Sequence, residues 1–203
     1  MKTALLIGCG GKRAEAIVNG CLDAKHNVIN IGSTASTLPN VTNIKVDWKT
    51  LDITQLHKKL QFTNNIDFIF FNQNASTLST DNFTSKLKTA ELWQLVKHWN
   101  QSHWLSCQLP FALIHTLGKN INKETKIGWM LSEFIDKDKE GVEHHADYSG
   151  YKFTNHLIMK NFNKEYNCFG ISPDFTGNTR PEDIKKTIKE ICDNTKKCDG
   201  ETF

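Results

Sequence analysis

The chain has 203 residues, a formal net charge of +3 and a hydrophobic share of 38%. That length suits one domain spanning 1–203 with a sizeable core, and would be cramped for two. The lysines are spread without a dense basic block, so the charge balance makes no case for nucleic acid or a membrane as partner.

Taken in chain order, "TALLIG" (3–8) is a short apolar run ending in glycine and predicts a buried strand. The apolar part of the start, "MKTALLIGCGG", is too short for a secretory signal. In "KRAEAIVNGCLDAKH", Ala14, Ile17, Val18, Cys21 and Leu22 share one helical face. "NVINIG" (27–32) and "NIKVDW" (43–48) predict the second and third strands, with a helix over "DITQLHKKL" after them. "IDFIFFNQNAS" (66–76) is so apolar that both faces of its strand should be covered. A long helical region follows at 90–118, with an interruption expected near Pro110. "KIGWMLSE" (126–133) predicts the fifth strand, Tyr148 to about Tyr166 a helix, and "CFGISP" (168–173) the sixth strand. "PEDIKKTIKEICDN" closes the pattern as a helix with Pro181 at its start.

Strand–helix alternation of this kind predicts an α/β fold: a doubly wound parallel sheet with helices on both faces, three layers deep. No run approaches the roughly 20 apolar residues of a membrane span. The six cysteines show neither a CxxC pair nor zinc spacing, so no metal is expected from them. Reduced, semi-buried cysteines fit a soluble cytoplasmic protein.

"GCGGKRAEA" (8–16) joins the first strand to the first helix, where such folds bind a dinucleotide. Glycines admit a pyrophosphate close to the backbone, and the helix N-terminus offers free N–H groups. Gly8, Gly10 and Gly11 are the candidates; Arg13 stands where a third motif glycine would be, and a tight strand-to-helix turn is the alternative. The second strand ends "INIGSTAST" without the acid that commonly bonds a ribose 2′-hydroxyl. Ser33, Thr34, Lys12 and Arg13 suit a 2′-phosphate instead, which makes NADP(H) the expected cofactor over NAD(H). Alternatively, Lys12 and Arg13 are solvated first-turn residues.

Tyr148 and Lys152, one helical turn apart, form a spacing that chance produces readily. Their setting adds to it. The glycine loop, then "QNAS" (73–76), Asn100 in "WQLVKHWNQSHW", Ser132 in "MLSE", the Tyr148–Lys152 couple and "ISPDFTGNT" (171–179) follow in the order of the short-chain dehydrogenase/reductase family. The chain resembles that family from its first strand to about Thr179. It departs from the pattern at Lys12, Ala14, Ser76 and Asp174, and the Ser132-to-Tyr148 interval is slightly long. After Thr179 one helix remains, which would leave the family's substrate-covering insertion and last strand reduced or absent.

The resemblance implies an NAD(P)(H)-dependent oxidoreductase, most simply an NADPH-dependent reductase of a ketone or aldehyde. Tyr148 would protonate the developing alkoxide, helped by the Lys152 ammonium, which lowers the phenol pKa. Lys152 would also bond the nicotinamide ribose, and Ser132 would hold the carbonyl oxygen. Asn100 would position a water linking Lys152 to solvent. Asn74 and Ala75 would line the adenosine ribose, and Ile171 would meet the carboxamide through its backbone. Pro173 and Thr176 would wall the nicotinamide. Asp47 would accept the adenine amino group, or else cap a helix. His144 and His145 precede Tyr148 in a polar loop; they would line the substrate mouth or act as metal ligands, but an adjacent pair without matched ligands is more often part of a solvated loop.

Trp93, Trp99 and Trp104 read as core packing, or as a subunit interface of the kind the family builds from the 90–118 and 148–166 helices. That resemblance implies a homodimer or homotetramer. The alternative function is a catalytically weak nucleotide-binding sensor or scaffold. Retention of Asn100, Ser132, Tyr148 and Lys152 together favours the enzyme.

Overall fold

The computed structural model describes residues 2–10, 12–48, 56, 58, 65–73, 92–132, 146–173 and 179–203; at 12, 13, 92, 94, 95, 98, 99 and 146–149 it describes the backbone alone. Its strands are β1 (Thr3–Ile7), β2 (Asn27–Gly32), β3 (Val41–Lys45), β4 (Phe68–Phe71), β5 (Lys126–Met130) and β6 (Asn167–Ile171). Its helices are α1 (Lys12–Asp23), α2 (Leu92–His103), α3 (Leu109–Thr116), α4 (Ala146–Phe162) and α5 (Pro181–Cys192), with a π-helical turn, Trp104–Gln108, joining α2 to α3.

All strand pairs are parallel, in the order β3-β2-β1-β4-β5-β6. Period-two alternation splits the side chains between two cores. Leu5, Ile7, Ile29, Ile31, Ile69 and Trp129 pack beneath the helical layer that runs from the π turn through α3 to α4. Ala4, Leu6, Val28, Phe68, Phe70 and Phe169 pack against α1 and α5. Each such Leu, Ile or Phe contributes about 1.5–3 kcal/mol when fully buried, which explains why both faces must be covered.

The helix boundaries follow from local chemistry. Pro181 opens α5, where its missing N–H costs nothing, and the Arg180 N–H donates to the Asp183 carboxylate at 3.4 Å. Ile184, Ile188 and Ile191 form the buried stripe of α5. That stripe meets α1 at Gly20, where a Cβ would lie 2.8 Å from the Cβ of Ile188. The interruption expected near Pro110 falls in the turn before it. The proline ring crowds the carbonyl four residues back, so the ladder lengthens, and the Leu109 N–H donates to the Trp104 oxygen five residues earlier.

Several boundaries differ from the sequence expectation. The third strand is Val41–Lys45 instead of 43–48, because β3 ends where its partner β2 ends, at the Gly32–Lys45 pair. The fourth and fifth strands stop at Phe71 and Met130. Of "DITQLHKKL", Leu56 and Lys58 are described, both helical, and the remaining positions lie outside the described residues. After α5 the chain returns to β6. Gly170 and Thr202 form one parallel bridge, flanked by Gly170 N–H to Glu201 O (2.8 Å) and Ser172 N–H to Phe203 O (2.7 Å). A single bridge thus stands where a seventh strand would pair.

All six cysteines are free and buried. Burial pushes the thiols of Cys9, Cys21, Cys107, Cys168 and Cys198 up, which suits small hydrophobes and not nucleophiles. Among the described residues, no helix is long and apolar enough to cross a membrane.

Candidate active site

Every strand ends at the same edge of the sheet, and the chain reverses order between β1 and β4, the crevice where open α/β sheets take ligands. A cavity of about 210 Å³ opens there, lined by Gly8, Gly10, Ser33, Thr34, Trp48 and Gln73 among others. Gly8 has φ +78°, a conformation that favours glycine, and a Cβ there would lie 2.8 Å from the Gln73 Cα. Its N–H donates to Ile31 O (2.8 Å), and its carbonyl accepts from the Asn72 amide (3.0 Å). At Gly10 a Cβ would lie 2.6 Å from the Thr34 Cβ, so this glycine allows the two loops to touch. Both glycines therefore serve a tight turn, and the cavity lies beside that turn.

Gln73 is buried; its amide donates to Leu105 O in the π turn (3.0 Å), while its Oε1 is buried without a partner. An unpaired buried acceptor at the wall of a cavity is a costly arrangement that a bound donor or a water relieves. Ser33 and Thr34 line the cavity. Asp47 is exposed, and its neighbour Trp48, half-buried against the sheet core, reaches the cavity instead. Gly11, Asn74, Ala75, Thr176, His144 and His145 lie outside the described residues, as do the side chains of Lys12 and Arg13 at the start of α1.

The residues expected to carry the chemistry are placed as follows. Ser132 is buried just beyond β5. Tyr148 lies in the first turn of α4, with its side chain outside the described residues. One turn on, Lys152 is only 3% exposed, and its ammonium donates to the carbonyl of Met130, at the end of β5, at 2.6 Å. Burial holds that ammonium well below its ordinary 10.5, down to about 7. Lys152 is thus anchored two residues before Ser132. Asn100, on α2, is exposed, whereas Ser102, Ser106 and Asn155 in the same layer are buried, as Lys152 is. Ile171 ends β6, with its carbonyl accepting from the Leu131 N–H at 2.7 Å, and Pro173 is buried after it.

Sequence reasoning assigned no role to Asn30, Asn43, Asn72 or Trp48. A polar residue within "NVINIG" was the available signal for Asn30, which is 1% exposed. A second cavity, about 250 Å³, lies at the opposite sheet edge near Lys126 and Lys196. There Lys126 donates to Ile191 O (2.5 Å) and bonds Asn194, capping the carbonyl end of α5. Its charge is already committed.

A parallel sheet in this strand order, with a glycine turn at the crevice, defines a doubly wound, dinucleotide-type fold. No family profile matches the chain, and no curated protein matches it. Solved structures do. A short-chain dehydrogenase family protein from Francisella tularensis is 17% identical, with a TM-score of 0.72 over 100% of this chain and 96% of that one. A short-chain dehydrogenase/reductase from Burkholderia multivorans, solved with NADP bound, is 14% identical, with a TM-score of 0.72 over 98% and 93%. A carbonyl reductase from Pseudomonas aeruginosa is 10% identical, with a TM-score of 0.73 over 100% and 94%. The chain has the fold of the short-chain dehydrogenase/reductase family.

Proposed function

We propose that the protein is an NAD(P)(H)-dependent oxidoreductase, working most readily as an NADPH-dependent reductase of a ketone or aldehyde. The observation that carries this reading is Lys152. A lysine buried to 3% exposure and tied to the end of β5 is expensive to keep, and such perturbed groups cluster at functional sites. The cavity beside Gly8 and the unpaired Gln73 acceptor fit the adenosine half of a dinucleotide. The NADP bound in the Burkholderia neighbour supports the choice of cofactor class.

In this reading the glycine turn, Ser33 and Thr34 hold the adenosine side, joined by Gly11, Lys12, Arg13, Asn74 and Ala75, while Asp47, exposed beside Trp48, accepts from the adenine amino group outside the cavity proper. Ile171, Pro173 and Thr176 border the nicotinamide, which supplies the hydride when bound. Ser132 donates to the substrate carbonyl oxygen, and Tyr148 gives that oxygen its proton. Lys152, one turn away, favours the phenolate and so makes Tyr148 a better proton donor, and a proton from solvent restores the phenol for the next cycle. Asn100 is the proposed contact between this relay and solvent.

A second copy of the chain is the proposed partner. Trp93 and Val96 on α2, Phe111 on α3, and Phe153 and Leu157 on α4 are large apolar side chains left exposed on one helical layer. Their i,i+3 and i,i+4 spacings align them into stripes that a partner would cover.

Fluorescence titration of NADPH and NADH against the protein tests the cofactor, with NADPH expected to bind tighter. Turnover of a ketone panel then tests the relay. Tyr148→Phe should lower kcat by about 10²–10⁴-fold with cofactor affinity nearly intact. Equal turnover in that variant removes Tyr148 from the chemistry. Binding of cofactor without turnover of any carbonyl by the wild type favours the sensor reading.

A further inference from the structure

The cavity rim is held by two asparagines that stand opposite each other on adjacent strands, Asn30 on β2 and Asn43 on β3. Asn30 reaches three segments at once. Its Oδ1 accepts the Cys9 N–H of the glycine turn (3.2 Å), and its amide donates to Thr34 O (3.4 Å) and to Asn43 Oδ1 (3.0 Å). Asn43 completes the set: its Oδ1 also accepts the Ser36 N–H (2.8 Å), and its amide donates to Ser36 O (3.1 Å). The Ser36 hydroxyl oxygen is itself occupied by the Leu38 N–H at 3.3 Å. The same two loops approach so closely at Gly10 and Thr34 that a Cβ on the glycine would lie 2.6 Å from the Thr34 Cβ.

The consequence is electrostatic as well as structural. Both asparagine amides engage backbone carbonyls of the 33–36 turn, Thr34 O and Ser36 O. Residues 33–37, Ser-Thr-Ala-Ser-Thr, include no carboxylate. With two of its carbonyls already accepting hydrogen bonds and hydroxyl donors at Ser33 and Thr34, the turn favours an acceptor-rich ligand group. The position after the second strand is the one that reads the ribose 2′-oxygen in folds of this type. A phosphate there is repelled by a free carbonyl, whereas a hydroxyl can donate to one.

We infer that Asn43, acting through Asn30 and the 33–36 turn, is a positioning residue that sets this chain's preference for a nucleotide phosphorylated on the adenosine 2′-oxygen. This rests on the nucleotide reading above and specifies what enforces it. Asn43 bonds the turn at Ser36 and is not among the residues that line the cavity. It is exposed on the edge strand, so its replacement removes no apolar core contact.

The test compares NADPH and NADH binding, and their KM values, for wild type, Asn43→Ala and Asn43→Asp, with thermal unfolding measured alongside. Losing a hydrogen-bonded hold of this size should weaken NADPH by about ten-fold and NADH by less than about two-fold in Asn43→Ala. Asn43→Asp keeps both accepted bonds but frees Ser36 O and adds a negative charge, so its NADPH affinity should be no higher than that of the alanine variant. Equal losses for both nucleotides, no loss, or wild-type affinity in the aspartate variant overturns the inference. A wild type that prefers NADH overturns it while the nucleotide reading stands. A wild type that binds neither nucleotide takes both down.

Discussion

The two helical layers of the sandwich solve different problems. Against one sheet face, α1 and α5 pack closely enough that Gly20 has no room for a methyl group, and their inward residues are Ala, Val, Ile and Cys. On the other face, the layer from α2 to α4 contains a π turn, a buried lysine and the buried Ser106 and Asn155. It also leaves Trp93 at 61% and Leu157 at 52% exposure. Among the described residues, four of the five buried polar atoms without a partner, those of Gln73, Trp129, Asn155 and His156, fall on this second side. A layer that only had to fold would not accumulate them, because each costs about 1–3 kcal/mol unless satisfied. The first layer supplies stability, and the second accepts local cost where chemistry is proposed.

Lys152→Met should produce the largest break in that comparison. Turnover should fall by about 10²–10⁴-fold, as for loss of a relay group. Stability should move the other way. The folded state holds the ammonium below its ordinary 10.5, at about 7, so between those values the unfolded chain binds a proton that the folded chain does not. Stability of the wild type therefore rises with pH through that window, and the burial cost is full below pH 7. Denaturant unfolding should find the variant more stable by a few kcal/mol near pH 6, with the gain shrinking toward pH 10. A variant that is uniformly less stable would mean that Lys152 serves packing first.

Gly20→Ala sharpens the comparison from the quiet side. Its Cβ would lie 2.8 Å from both the Ile188 Cβ and the Lys185 carbonyl, so α1 and α5 must separate. We expect about 1–3 kcal/mol of destabilisation by overpacking, with NADPH affinity of the folded protein unchanged. A matching loss of nucleotide affinity would show the layers to be less independent than they look. The smallest effect on stability is expected for Leu157→Asp, within about 0.5 kcal/mol, because that side chain is half in solvent already. Sedimentation should nonetheless report a smaller assembly than the wild type. Equal masses would leave the exposed stripe without its proposed partner.

The hydrophobic periodicity made much of this architecture legible. Alternating apolar runs and helical faces are local patterns, and the sheet, its helices and the glycine turn follow from them. The break before Pro110 was legible in kind, since a proline ring always crowds the carbonyl four residues back. The exact strand ends were not, because they depend on the neighbour. β3 stops where β2 stops, whatever its own residues prefer.

For the candidate site, the sequence by itself determined the order of its parts: glycine turn, Ser132, Tyr148 and Lys152 along one chain. Tertiary structure alone decided which polar groups lose their water. Asn30 and Lys152 are 1% and 3% exposed, yet Asn100 in a similarly mixed helix is exposed. It also decided that Asn30 meets Asn43 and that Trp48, not Asp47, reaches the cavity. The physical reason is that side-chain identity is carried by each residue, whereas burial and partnership are set by register between strands and by which helix covers which face.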